Sequence, residues 1–178
     1  HLRPELRERT AVMDSLSKTY GMPGWRERFV AAPEKLANAL VTLNSNPITN
    51  LPEVVTAAGV AALLGPQDIP VAKCKDFSVR RDEVMNALLS IPGVKCPRPQ
   101  GAFYVFPDIS CAFGKSHDGK RIANDVDFCA ALLDAKGVAC VPGSAFGEPR
   151  ALRVSYTCKQ AEVTEGLKRI REFFAELK

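Results

Sequence analysis

The chain has 178 residues, of which 46% are hydrophobic and 25% are charged, and its formal net charge is +4. This composition excludes a disordered or low-complexity segment and is typical of a globular unit with a hydrophobic core. The basic residues are interleaved with acidic ones, and no run of residues is apolar enough to span a membrane. We therefore expect neither nucleic acid nor a membrane as a partner.

The first half of the chain alternates between short apolar runs and helical patterns. Apolar spacing and turn residues predict a surface turn or short helix, a buried strand, a loop, a second strand and three helices. In order, these segments are residues 3–9, 10–14, 15–24, 29–32, 34–43, 51–65 and 68–91. Proline near the start of the last two helices, and Gly65 at the end of the first of these, are typical helix boundaries.

The second half has a similar pattern. It predicts a strand at 102–106, a helix at 125–136 capped by Gly137, and strands at 138–141 and 152–156. The final helix is expected to open at residues 157–160, which have the spacing of a capping box. Strands interspersed with helices indicate an α/β or α+β fold.

Cysteine and histidine restrict the possible chemistry. The six cysteines form no C-x-x-C pair and follow no visible secretory signal, so we expect reduced thiols and an intracellular protein. With only two histidines and no spaced partner, neither a histidine-based triad nor a histidine-rich zinc site is expected. No metal site is predicted.

The segment 15–26 carries the strongest chemical pattern. Lys18 follows a predicted strand in a loop of small hydroxyl residues, and Arg26 lies eight positions further on. A lysine amine can form a Schiff base with an aldehyde cofactor, and arginine offers a permanent charge and a planar fork to a phosphate. Ser15 and Ser17 can add hydroxyl donors. The alternative is a surface lysine among ordinary turn residues.

This segment resembles the attachment signature for pyridoxal 5′-phosphate (PLP) in class I and II aminotransferases. The pattern is Ser-x-Ser-Lys, then Gly, then Gly-x-Arg, and it is met at Ser15, Ser17, Lys18, Gly21, Gly24 and Arg26. The resemblance implies that Lys18 is catalytic and binds PLP together with the two serines and the arginine. The two glycines are expected to let the backbone turn near the ligand. Family members usually continue with an aliphatic residue and a glycine, where this chain has Glu27 and Arg28.

A second candidate site residue is Arg153. It lies among apolar neighbours on a predicted strand, a costly place for a charge unless an anion pairs with it. A carboxylate bound in bidentate fashion is the natural partner, although a structural ion pair is an alternative. The preceding V-x-x-V-P-G-S-x-F-G segment, residues 138–147, is similar to the family's turn before the arginine that binds the substrate α-carboxylate. The resemblance implies that Arg153 binds substrate.

The resemblance covers nearly the whole chain and looks closest to bacterial-type aspartate aminotransferases. It implies an α/β chain of the PLP-dependent transferase fold type I, comprising the last strands of the large domain and the α/β small domain. Residues 1–50 would end the PLP-binding large domain, and residues 51–178 would form the interdomain helix and the small carboxy-terminal domain. The complete enzyme would be a cytoplasmic homodimer that transaminates between an amino acid, expected to be aspartate, and a 2-oxo acid, expected to be 2-oxoglutarate.

The family's other cofactor contacts would lie upstream of this chain. They are a phosphate-binding loop, an aromatic residue on the cofactor ring, an asparagine, and an aspartate at the pyridine nitrogen. We therefore expect the 178-residue chain to be inactive alone. Two alternatives remain: another PLP enzyme of this fold, such as a carbon–sulfur lyase or a cyclopropane-forming synthase, or a folded fragment without catalytic function.

Overall fold

The computed structural model describes residues 3–178 and contains α-helices separated by short strands. The α-helices are α1 (Leu16–Thr19), α2 (Glu34–Ser45), α3 (Glu53–Leu64), α4 (Asp68–Leu89), α5 (Asp125–Lys136) and α6 (Gln160–Glu176). Within the described residues no single helix is long and apolar enough to cross a membrane, and only the bent pair α3 and α4 meets such a criterion jointly.

The strands of the described residues form small antiparallel sheets. They are β1 (Val12–Ser15), β2 (Arg28–Ala31), β3 (Tyr104–Val105), β4 (Ser116–His117), β5 (Lys120–Arg121), β6 (Val141–Pro142) and β7 (Leu152–Ser155). One sheet pairs β1 with β2, a second has the order β3-β7-β6, and a third pairs β4 with β5. Helices and strands are mixed along the chain, as the sequence predicts.

The chain divides into two compact units, with the first ending at Lys73 and the second beginning at Cys74. The boundary falls inside α4. The division into domains at residues 50 and 51 stays a prediction.

The β1–β2 ribbon of the first unit is exposed, and the prediction of a buried strand at 10–14 was wrong in this respect. Val12 pairs with Ala31 in register, yet Val12 is 46% exposed and Met13 is 68% exposed. The reason is the size of the sheet, because a two-stranded ribbon has neither neighbouring strands nor a covering layer to bury its apolar side chains. Both strands also leave edges unpaired among the described residues.

The second unit has the main hydrophobic core. Helices α5 and α6 pack together there, and Phe128 meets Phe173 edge to face at 5.3 Å between ring centroids. Both rings are fully buried. The apolar stripe of α6 that the sequence predicts, which includes Val163, Leu167 and Ile170, lies in this core. This core supports β7, the strand that carries Arg153.

Helix α5 has the boundaries that its sequence predicts. Asn124 caps its start, since the side-chain oxygen accepts a hydrogen bond of 2.9 Å from the Asp127 backbone N–H. Gly137 ends the helix with φ of 65°, a left-handed conformation that favours glycine. The final helix differs from its prediction. It starts at Gln160, and the Lys159 N–H donates to the Glu162 carboxylate at 3.1 Å, so the capping segment lies two residues later than expected.

Glu27, one of the two departures from the family pattern, is poorly accommodated. Its Oε2 is a buried side-chain atom without a hydrogen-bond partner among residues 3–178. The carboxyl lies against Gly59 of α3, where a Cβ would come within 2.2 Å of Glu27 Oε1. Leaving a buried acceptor unsatisfied costs about 1–3 kcal/mol.

We therefore expect Glu27→Leu to raise the free energy of unfolding of the chain by about 1–3 kcal/mol, because it removes the unsatisfied oxygen and has a shorter side chain. Urea unfolding would measure the change. Glu27→Gln is the matched control, since it keeps the polar atoms and should give a smaller gain. A lower free energy of unfolding for Glu27→Leu would show that the Glu27 carboxylate does not destabilise the fold.

Candidate functional site

Lys18 lies on α1, a single helical turn inside the segment for which the sequence predicts a loop. Leu16 anchors this turn, with only 1% of its surface exposed, while Lys18 itself is exposed. At the other end the Tyr20 N–H bonds to the Leu16 carbonyl at 3.2 Å. Because an isolated turn is unstable in water, these contacts at its two ends determine where the lysine is held.

Arg26 follows the 3₁₀ turn Pro23–Trp25, which packs against α1. Its φ is 59°, and such a left-handed conformation is uncommon outside glycine and is concentrated at functional sites. The guanidinium donates to the Pro23 carbonyl at 3.0 Å and has no carboxylate partner among the described residues. Gly21 has a positive φ of 66°, a conformation that favours glycine, whereas Gly24 does not have positive φ. The role of the two glycines near the ligand stays a prediction.

The residues around Lys18 fit a phosphorylated aldehyde cofactor. The side-chain hydroxyls of Ser15 and Ser17 make no hydrogen bond within the part of the chain that the structure describes. Together with the exposed Arg26 guanidinium, they leave donors of the type that phosphate oxygens accept, on the same segment as the Lys18 amine. These roles stay predictions, and the donor set is compatible with them.

Arg153 lies on β7 in the second unit, half-buried between two aromatic rings. Its guanidinium carbon is 4.8 Å from the centroid of Phe146 and 5.4 Å from that of Tyr104. No carboxylate within residues 3–178 lies at ion-pair distance from it, which removes the alternative of a structural ion pair from that part of the chain. Cation–π contacts hold the charge without using the N–H fork, so the fork can receive an anion.

The turn between β6 and β7 holds Phe146 in place. A Cβ at Gly143 would come within 2.2 Å of the Glu148 carbonyl oxygen, so only glycine fits there. The Ser144 N–H donates to the buried Asp125 carboxylate at 2.7 Å. Burial raises the pKa of Asp125, but hydrogen bonds from Ser144 and from the start of α5 outweigh it, so the pKa lies below its ordinary value. Asp125 is therefore ionised at neutral pH and ties the turn to α5.

The sequence did not reveal the two aromatic partners of Arg153. The sequence predicts a strand at 102–106, of which the structure forms only Tyr104 and Val105. Val105 is buried, whereas Tyr104 is 38% exposed. The signal lies in the strand register. Tyr104 pairs with Ser155, which places its ring on the same sheet face as Arg153, two residues away on β7.

Comparison with known proteins identifies aminotransferases as relatives of this chain. The family description "Aminotransferase class I and II" matches residues 2–170. The aspartate aminotransferase of Rhizobium meliloti strain 1021 is 43% identical over 170 residues, which is 95% of this chain and 42% of that protein. The aspartate/prephenate aminotransferase of Cereibacter sphaeroides is 40% identical, over 99% of this chain and 44% of its own length. The chain thus spans about two-fifths of the length of these relatives.

Solved aminotransferase structures also superpose on this chain. The crystal structure of the Rhizobium meliloti aspartate aminotransferase superposes with a TM-score of 0.95 at 41% identity, covering 99% of this chain and 44% of that one. The aromatic aminotransferase of Pyrococcus horikoshii gives 0.87 at 29% identity, covering 98% and 45%. The fold is therefore that of the carboxy-terminal part of fold-type I aminotransferases. By the extent of the sequence match and the structural similarity, the chain belongs to the aminotransferase class I and II family, whose members depend on pyridoxal 5′-phosphate.

Proposed function

We propose that the complete enzyme transfers an amino group between aspartate and 2-oxoglutarate, with Lys18 as the catalytic lysine. The observation that carries the proposal is the Lys18 segment, where a lysine, an arginine without a carboxylate partner and two hydroxyls without described partners lie on one short stretch. The relatives named aspartate aminotransferase support the choice of aspartate, and 2-oxoglutarate is the 2-oxo acid that we infer as acceptor.

Each candidate residue of this chain has a separate role in the proposed reaction. When bound, pyridoxal phosphate supplies an electron sink for the bonds at the substrate α-carbon. Lys18 holds the cofactor through its amine and, once released by the substrate, carries the α-proton as general base and acid. Arg26, Ser15 and Ser17 bind the phosphate and keep the cofactor in reach of the lysine.

Arg153 orients the substrate. A guanidinium presents parallel N–H donors that match the two oxygens of a carboxylate, and the aromatic contacts of Tyr104 and Phe146 fix the plane of the fork. Every amino-acid and 2-oxo-acid substrate has a carboxylate next to the reacting carbon. One arginine can therefore serve both half-reactions.

Product analysis tests the reaction type. Incubation of the complete enzyme with aspartate and 2-oxoglutarate should yield oxaloacetate and glutamate in equal amounts. A carbon–sulfur lyase or a synthase of the same fold would leave 2-oxoglutarate unconsumed, and that result would overturn the proposal of transamination.

We also propose that the 178-residue chain is not a competent catalyst alone. The support is the β1–β2 ribbon, whose apolar side chains are exposed and whose edges are unpaired, as expected of a sheet that lacks its neighbours. Its length, about two-fifths that of its relatives, points the same way.

Purified chain should accordingly show weak PLP binding, a tendency to associate and no aminotransferase activity. Addition of the amino-terminal half in trans should restore activity. The same mixture made with Lys18→Ala chain is the control and should stay inactive. Robust turnover by the chain alone would contradict this prediction.

Exposed apolar side chains and free cysteines suggest the oligomeric state and the cellular location of the complete enzyme. We infer a homodimer, supported by large apolar side chains that remain exposed on α2 and α3, including Val41 at 68% and Val54 at 66%. We infer a cytoplasmic location, supported by the six free cysteines, which are typical of a reducing compartment. Sedimentation of the complete enzyme would measure its oligomeric state.

A further inference from the structure

The side chain of Gln67 connects the segment that carries Lys18 to the turn between α3 and α4. The Tyr20 hydroxyl lies 3.0 Å from Gln67 Oε1. On its other side, Gln67 Nε2 lies 2.8 Å from the Gly65 carbonyl oxygen and 3.0 Å from that of Ala62. Gln67 therefore uses both ends of its amide, one on the turn and one on the segment of Lys18.

The direction of these bonds follows from the chemistry of the groups. Carbonyl oxygens can only accept, so the amide nitrogen of Gln67 must face Ala62 and Gly65. Its oxygen then faces Tyr20, whose hydroxyl must donate. The Gln67 backbone is also fixed, because its carbonyl accepts from the Val71 N–H at 3.1 Å in the first turn of α4. Tyr20 is thus held by a residue that is itself anchored in several places.

Open space separates part of the segment of Lys18 from this turn. A cleft of about 230 Å³ lies between them, lined by Thr19, Tyr20 and Met22 on one side and by Gly65 and Pro66 on the other. The hydrogen bond from the Tyr20 hydroxyl to Gln67 joins the two sides of this cleft. Tyr20 closes the turn by bonding to Leu16, and Lys18 is midway between those two residues.

We propose that Gln67 is a positioning residue for Lys18, acting through the Tyr20 hydroxyl. The inference rests on the proposed role of Lys18 as the cofactor-binding lysine. In this proposal neither Gln67 nor Tyr20 touches the cofactor or the substrate. Their contribution is to keep the Lys18 amine within reach of its target, where a small displacement has a large effect on rate.

The test is the rate at which PLP is trapped on Lys18 by borohydride in the complete apoenzyme, read by peptide mass. Tyr20→Phe removes only the hydroxyl, and Gln67→Met removes both ends of the amide. Each should slow trapping by about tenfold, and the double variant should be no slower than the single ones, because all three lack the same connection. Thr42→Val is the matched control, since it loses an exposed hydroxyl bond to the Asn38 carbonyl in the same unit and should trap at the normal rate.

Steady-state kinetics separate positioning from general loss of structure. In Tyr20→Phe, kcat should fall about tenfold while KM for the amino acid, set by Arg153, stays near its normal value. Trapping within twofold of the normal rate in Tyr20→Phe, or separate effects that multiply in the double variant, would overturn the proposal. If Gln67→Met fails to fold, Tyr20→Phe alone decides. Absence of trapping at Lys18 in the unaltered enzyme would instead defeat the proposed function, and this inference with it.

Discussion

Lys18→Ala should reduce transamination by several orders of magnitude in the complete enzyme while PLP is still bound. The substitution removes two functions at once, the amine that holds the cofactor and the base that carries the α-proton, and general base catalysis alone contributes about 10²- to 10⁴-fold. Binding persists because Arg26 and the serines engage the phosphate independently of the lysine. Single-turnover kinetics with aspartate, and a spectrum of the bound cofactor, measure the two parts of this prediction.

Lys35→Ala is a suitable control for that experiment. Lys35 is also exposed and lies in the first unit, on α2, outside the attachment segment. Its loss should leave turnover unchanged. Near-normal turnover of Lys18→Ala would remove Lys18 from the catalytic site.

Arg153→Lys should weaken amino-acid and 2-oxo-acid substrates alike. Lysine keeps the positive charge but loses the planar fork, and it cannot stack between Phe146 and Tyr104 in the same way. Loss of one charged hydrogen bond costs roughly 1.5–3 kcal/mol, so KM for both substrates should rise about 10- to 100-fold. The affinity for PLP should stay nearly normal. Initial-rate kinetics and cofactor titration provide these values.

Arg150→Lys is the matched control for Arg153, because it makes the same substitution three residues away. The Arg150 guanidinium forms an exposed ion pair with Glu148 at 3.0 Å, and such pairs contribute little. That variant should behave normally. A fall in PLP affinity with unchanged substrate KM in Arg153→Lys would assign Arg153 to the phosphate site or to the structure.

Local signals in the sequence predicted the helices better than the strands. Helix α5 has its cap and its terminal glycine within its own segment, so its boundaries followed directly from the residues. Strands depend on their neighbours. Residues 138–141 were expected to form a strand, but only Val141 and Pro142 pair with β7. The β4–β5 hairpin was not predicted, because each of its strands has only two residues.

The candidate site residues also differ in whether their contacts lie nearby or far away in the sequence. The Lys18 segment is contiguous, so its pattern could be recognised without a structure. The partners of Arg153 come from β3 and from the turn after β6, and Gln67 lies 47 residues from Tyr20. No periodicity links residues so far apart in the chain. The fold brings them together, and only coordinates reveal that contact.

We propose that Lys18 is the residue that binds PLP. Borohydride reduction of the complete enzyme with PLP, followed by peptide mass spectrometry, identifies that lysine. We predict a stoichiometric phosphopyridoxyl adduct on Lys18 and none on Lys35 or Lys73, the other lysines of the first unit. An active enzyme with its adduct on any other lysine would show that Lys18 does not bind PLP.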